Sequence, residues 1–317
     1  MARYSACAAE FTYKLSTNVP RARDTSMRLI EAIDKIGRDS GGRLQIDFFP
    51  GAQLGSGTET LSQLRLGAIE FSLCADPDLS TVVPVAGVTG LPFIAADDKQ
   101  ALNIVDGAFG TYLRDAVAKV GLYRFPRSWA TGFQDIETPL RPINVPADLR
   151  GLKLRSSNSR QEIDLLKALG AVPTSIGAAE IYTSLQTHLV DGATLPVSVL
   201  ESYKVNEVTK YVSSTHHAWG GFTLLANTNA WQRLPKNIQA SVARNFENAR
   251  NLSNSDAEKY NSGAEARLKA AGMIFNNVDA QAFRRVVHDA GLYPRWKTEY
   301  PSEAWSLIEK QVGRELS

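Results

Sequence analysis

Two cysteines are all that this 317-residue chain contains. That is too few for a disulfide framework, and neither Cys7 nor Cys74 has metal-ligand spacing around it. Cys74 lies in the apolar run Phe71-Ser72-Leu73-Cys74-Ala75, where a buried structural thiol is expected. No run of eighteen or more apolar residues occurs, so no membrane-spanning helix is predicted. Charge of one sign is missing too: 35 Lys and Arg stand against 33 Asp and Glu. Without a strong field, neither nucleic acid nor an anionic membrane is indicated as a partner. The chain lacks a G-x-S-x-G elbow, a G-x-G-x-x-G turn after a strand, a Walker loop and an H-E-x-x-H helix. The histidines His188, His216, His217 and His288 are scattered apart from one adjacent pair. Neighbours on a regular strand point to opposite faces, so that pair cannot grip one ligand. No catalytic set, cofactor or metal site is indicated, and an enzyme is not expected.

What is present is the composition of a soluble globular protein, 44% hydrophobic and 21% charged. The length suits two lobes of roughly 120–190 residues each. Strand and helix patterns alternate to about residue 130 and again from about 150 to 220, which predicts parallel βαβ units. The proline-free stretch from 236 to 271, rich in Ala, Glu, Asn, Arg and Lys, predicts one or two long helices despite Gly263.

The segment from Asp148 to Pro196 is the richest. Leu152 and Leu154 alternate with Lys153 and Arg155, as in a strand with one buried face. Arg155 falls at the strand's C-terminal end, where open α/β sheets bind their ligands. Its planar fork matches the two oxygens of a carboxylate, although a strand-end arginine can equally be a solvated surface cation. Glu162, Ile163, Leu165, Leu166 and Leu169 then mark a helix ending at Gly170. Ile181, Leu185 and Leu189 mark a second one before the turn Val190-Asp191-Gly192-Ala193.

In order and in spacing, Gly151-Leu152-Lys153-Leu154-Arg155, Lys167-Ala168-Leu169-Gly170-Ala171-Val172-Pro173-Thr174, Glu180-Ile181-Tyr182-Thr183-Ser184-Leu185-Gln186-Thr187 and Val190-Asp191-Gly192 followed by Pro196 resemble the signature of the TRAP-transporter periplasmic solute-binding proteins of DctP type. The likeness extends to Gln53-Leu54-Gly55, Gly67-Ala68-Ile69-Glu70-Phe71, Leu91-Pro92-Phe93 and Trp231-Gln232-Arg233-Leu234-Pro235. It implies an α/β fold of the two-lobe periplasmic-binding-protein type (type II), with a hinge and a long helix bracing both lobes. Lobe I would take residues 10–131 plus about 221–260, and lobe II residues 132–220 plus about 261–317. Residues 1–9, with the small-residue run Ala6-Cys7-Ala8-Ala9, are expected to be a signal-peptide remnant or tag.

The resemblance also assigns a site. Arg155 would pair with a ligand carboxylate, Asn158 would add a hydrogen bond, and Asn18 would face the cleft. Departures from the family pattern matter equally. Gln134 stands where many members carry a second arginine, Leu195 where many carry asparagine, and Ala178 where a bulkier residue is usual. The pocket is thus expected to lose a cation and gain apolar room, with Trp129 and Phe133 either placed to stack on a ring or packed in the core. Trp219 is expected to reach the cleft. Asp76, with Asp78, would bind sugar hydroxyls or an ammonium group, or cap the next helix. The expectation is a monomeric periplasmic receptor that closes on a small monocarboxylate, an aromatic acid or a sugar acid, and delivers it to TRAP permease subunits. The alternatives are a receptor for an amine or a neutral polar ligand held by Asp76, or an enzyme or sensor reusing the fold.

Overall fold

The protein is described here from a computed structural model that covers residues 9–316. The stretch assigned to an export-signal remnant therefore lies, apart from Ala9, outside the described residues.

The first strand, β1 (Phe11–Thr17), buries Tyr13, Leu15 and Thr17 at every second position, the period-two pattern of a strand lying on a core. Helix α1 (Asp24–Asp39) buries Leu29, Ala32 and Ile36 along one face and leaves its charged face to solvent. After β2 (Leu44–Phe49), helix α2 (Gly57–Leu66) starts at a capping box formed by Ser56 and Glu59. It stops at Gly67, whose φ of 75° is a left-handed position that glycine occupies without a Cβ penalty. Strand β3 (Phe71–Ala75) completes a parallel set with β1 between β2 and β3.

Next come α3 (Asp76–Ser80), α4 (Asp98–Asp106), α5 (Ala108–Ala118), β4 (Leu122–Arg124) and the long β5 (Trp129–Thr138). Strand β6 (Lys153–Ser156), α6 (Arg160–Ala168), β7 (Val172–Ser175), α7 (Ile181–Gln186) and β8 (Gly192–Pro196) build the second parallel set. Helix α7 ends before Leu189, which is 59% exposed, because His188 takes a left-handed φ of 55°. The apolar spacing through Leu189 thus overstates that helix.

Strand β9 (Tyr211–Asn227) leads into α8 (Thr228–Arg233) and α9 (Lys236–Ala270), followed by β10 (Ile274–Asn277), α10 (Ala280–Asp289), α11 (Leu292–Glu299) and α12 (Ser302–Val312). The sheet is continuous, in the order β2-β1-β3-β9-β5-β8-β6-β7, with β4 and β10 also on β9. Alternation alone predicts parallel units only. The structure adds β9 antiparallel to β3, and β5 antiparallel to both β9 and β8. These two strands run through the middle of the molecule and join the lobes. Their pairing shifts register between Ala130 and Gly132 and again between Gln134 and Ile136, and such bulges bend a strand and loosen its ladder.

One core, on the β2-β1-β3 side, gathers Leu15, Leu29, Phe71, Trp129 and Phe246. Another, on the β8-β6-β7 side, gathers Ile181, Leu195, Val212, Leu268 and Met273. The 35-residue helix α9 is about 52 Å long at 1.5 Å per residue. It contributes Ile238, Val242, Phe246 and Ala249 to the first core and Leu268 to the other. A helix this polar is held by such packing at both ends rather than by propensity. A third cluster, with Phe109, Trp296 and Trp305, seats α12 on α4 and α5 and α10 on α6. The C-terminal helices therefore touch both ends of the molecule.

Candidate ligand-binding cleft

Between the two strand sets lies a cavity of about 400 Å³, within the range of small-molecule sites. It opens where the strands end. Asn18 follows β1, Asp76 and Asp78 follow β3, Gln134 belongs to β5, and Arg155 and Asn158 come from the end of β6. Leu195 of β8, Trp219 of β9 and Ala178 ahead of α7 complete that part of the lining. All of these residues were singled out in the sequence, and they meet at one cavity.

Trp129 does not join them. It is 1% exposed and packs in the first core with Phe71 and Phe125, away from the cavity lining. Of the two roles open to it, the structure places Trp129 in the core and not on the cavity wall. Phe133, half-buried, leans towards His216 instead. The aromatic surface in the cavity comes from Trp219 and from Phe222, which sequence reasoning missed. Trp219 is fixed by its indole N–H donating to Asp98 Oδ1 at 2.8 Å. It lies so close over the chain that a Cβ on Gly221 would come within 2.7 Å of its ring, so glycine is needed there.

Arg155 is 6% exposed. Its Nε donates to the Ile176 carbonyl at 3.0 Å and its Nη1 to the Thr194 carbonyl at 3.4 Å. Among the described residues no carboxylate oxygen lies within 4.0 Å of its guanidinium. Burial pulls its pKa down, with Glu162 the leading opposing influence. Glu162 is engaged elsewhere, accepting from the Ser157 N–H at 3.1 Å and from the hydroxyls of Ser157 and Thr194. It shapes the turn after β6 rather than neutralising Arg155.

Asn158 lines the cavity, yet much of its amide is already in use: it donates to Asp78 Oδ1 at 2.7 Å and accepts from Ser175 Oγ at 2.6 Å. The first bond crosses the cleft, as does the contact of Tyr203 Oη with the Asn18 carbonyl at 3.5 Å. Asp78 also rests against the start of α2, so closely that a Cβ on Gly57 would sit 1.8 Å from its Oδ2. Burial raises its pKa. Asp76, 4% exposed, accepts from Thr223 Oγ1 at 2.8 Å, and burial pushes its pKa up to about 6. It opens α3 without a side-chain capping bond, so the capping alternative does not account for it. Two acceptors in the lining, Asn18 Oδ1 and Gln134 Oε1, are shut from solvent and have no partner among the described residues.

Two further residues escaped the sequence. Tyr203 lines the cavity, and burial raises its pKa. Arg23, the residue before α1, turns its guanidinium into the cavity from the opposite side to Arg155. The cation missing at Gln134 is thus made up from another part of the chain. No local pattern in Pro20-Arg21-Ala22-Arg23 announces that orientation.

With this geometry in place, comparison with known proteins is informative. Residues 28–291 match the family model described as bacterial extracellular solute-binding protein, family 7 (DctP). The chain belongs to this family. A relative in Escherichia coli (strain K12), the 2,3-diketo-L-gulonate-binding periplasmic protein YiaO, is 30% identical over 76% of this chain and 74% of its own length. The sialic acid-binding periplasmic protein SiaP of Vibrio cholerae is 26% identical over 80% of this chain and 79% of its own. Among solved structures, a TRAP periplasmic solute binding protein from Sulfitobacter with bound β-D-galacturonate superposes with a TM-score of 0.89 at 24% identity, covering 95% of this chain and 99% of that one. That likeness establishes the two-lobe fold. The chain is a periplasmic solute-binding protein of the DctP family.

Proposed function

We propose that the protein captures a hydroxylated organic acid, of the sugar-acid rather than the aromatic-acid kind, and presents it to a TRAP membrane permease. The observation that carries this reading is the pairing of a buried guanidinium, Arg155, that has no carboxylate within 4.0 Å among the described residues, with two unpartnered amide oxygens, Asn18 Oδ1 and Gln134 Oε1, in one cavity. A buried cation lacking a counter-charge is costly, and a ligand carboxylate removes that cost. Ligand hydroxyls would donate to the two amide oxygens and, once it is ionised, to Asp76. An aromatic acid would leave each of those oxygens unpaired, at about 1–3 kcal/mol apiece. Trp219 and Phe222 offer ring faces against which the C–H side of a sugar acid packs.

The conformational part of the reading follows from the strands. The bulges of β5 around Gly132–Asp135, beside Gly220 and Gly221 of β9, serve as the hinge, with residues 10–131 and about 221–260 moving against 132–220. Ligand contacts made from both sides favour the closed arrangement, which the cross-cleft bonds Asn158–Asp78 and Tyr203–Asn18 already mark. The protein acts as a monomeric binding receptor and not as a catalyst.

A thermal-shift comparison tests this. A ligand at about one hundred times its Kd raises stability by roughly 2.7 kcal/mol. Four- to six-carbon hydroxy acids should raise the Tm, while their matched neutral polyols should not. A rise confined to polyols, amines or aromatic acids contradicts the assignment.

A further inference from the structure

Asp98 has a partner that its own helix does not explain. It is the first residue of α4, yet the capping bond there is made by Asp97, whose side chain accepts from the Gln100 N–H at 2.7 Å. Among the described residues no Lys, Arg or His nitrogen lies within 4.0 Å of the Asp98 carboxylate. It does not line the ligand cavity. It belongs to the wall of a second cavity, with Ala130 and Gly132 of β5 and Asn261 of α9. Its one side-chain hydrogen bond among the described residues accepts the Trp219 indole N–H at 2.8 Å. Burial pushes its pKa up and that bond opposes the rise; Asp97 and Glu258 of α9 raise it further, and His216 of β9 lowers it.

Trp219 is 5% exposed, and a buried indole N–H needs an acceptor. Asp98 supplies it from outside the cleft. The six-membered ring at the other end of the indole lies over Gly221, where Asp76 also approaches: a Cβ there would come within 2.7 Å of the ring and 3.1 Å of Asp76 Oδ2. The aromatic wall and the Asp76 carboxylate therefore meet over one glycine, and the set of the indole fixes the gap between them. We propose that Asp98 is a positioning residue for the cleft, holding Trp219 so that ring wall and Asp76 keep the spacing that decides which solutes fit between them. Without Asp98 the indole N–H turns towards the cleft for an acceptor and carries the ring into the solute's space. The inference deepens the hydroxy-acid reading above and rests on it for the choice of ligands, though not for the geometry.

Two measurements test it, the first without ligand. In nitrogen-edited NMR spectra of the apo protein the Trp219 indole signal is identified by its loss in Trp219→Phe. In the wild type it should shift with pH, with a midpoint above the ordinary carboxylate value of 3.8. It should keep its position without titrating in Asp98→Asn and move upfield in Asp98→Ala, while the rest of each spectrum reports that the fold is intact. The second measurement is calorimetric titration with D-galacturonate and D-gluconate. Asp98→Ala should weaken the tighter of the two by about three- to tenfold, the range of one net hydrogen bond. Asp98→Asn, which retains an acceptor, should restore the affinity to within about twofold. In a Trp219→Phe background Asp98→Ala should change nothing further. An indole signal or an affinity indifferent to Asp98→Ala, a loss shared in full by Asp98→Asn, or a loss that persists in Trp219→Phe overturns the inference and leaves the hydroxy-acid reading standing. If neither acid binds the wild type, the hydroxy-acid reading falls and the indole signal alone decides the inference.

Discussion

Two buried arginines, one on α9 and one near the end of β6, show how one side chain serves two purposes. Arg250 of α9, 6% exposed, pairs with Asp106, whose carboxylate also holds Arg127 and the Ser128 N–H. Arg155, 6% exposed as well, has only backbone carbonyls. Burial is the same and compensation differs. The first arrangement is closed within the protein and braces α9 against β5. The second is open to one anion more, and the cleft is built around it. Exposure does not separate these two cations; their acceptors do.

The contrast breaks most sharply at Arg250. Arg250→Met should lower stability by about 3 kcal/mol, because it strips a buried carboxylate of its buried partner, and leave ligand affinity unchanged. Urea unfolding and titration calorimetry on the same variant check both halves. A larger loss of affinity than of stability would erase the distinction between the two faces.

Asp76 sharpens the contrast from the cleft side. Its pKa is raised from an ordinary 3.8 to about 6 by burial, so the folded state holds the proton more tightly than the unfolded one. The stability it contributes is full below about pH 4 and is lost as pH rises through about 6. At pH 7 the ionised carboxylate costs on the order of 2–3 kcal/mol. Asp76→Asn should therefore raise the Tm at pH 7, flatten its fall between pH 4 and 6, and weaken the binding of hydroxylated ligands. Unchanged pH dependence would mean that Asp76 is ionised throughout that range.

How much of this was legible in the sequence follows from how local each signal is. Arg155 could be read because an alternating strand ends there and a polar turn follows, which places a side chain at the mouth of a sheet. Helix α9 could be read from 35 residues without proline. The central strands could not, since antiparallel pairing of β9 with β3 and β5 joins residues roughly 70 to 155 positions apart. The choice between cavity and core for Trp129 could not be made from the sequence, because a bulge resets the parity by which side chains face along a strand. Arg23 was missed because a loop arginine's direction is set by tertiary packing, here by Ser198, 175 residues away. Asn158 was found, but its bonds join it to Asp78 and Ser175, 80 and 17 positions away in the chain.

The most direct test is Arg155→Met, followed by two readings on one sample. If Arg155 is held without a counter-charge for a ligand carboxylate, affinity for the best acid should fall by about a hundredfold or more, while the apo Tm equals or exceeds that of the wild type. Near-normal affinity, or an apo Tm several degrees lower, would contradict the account.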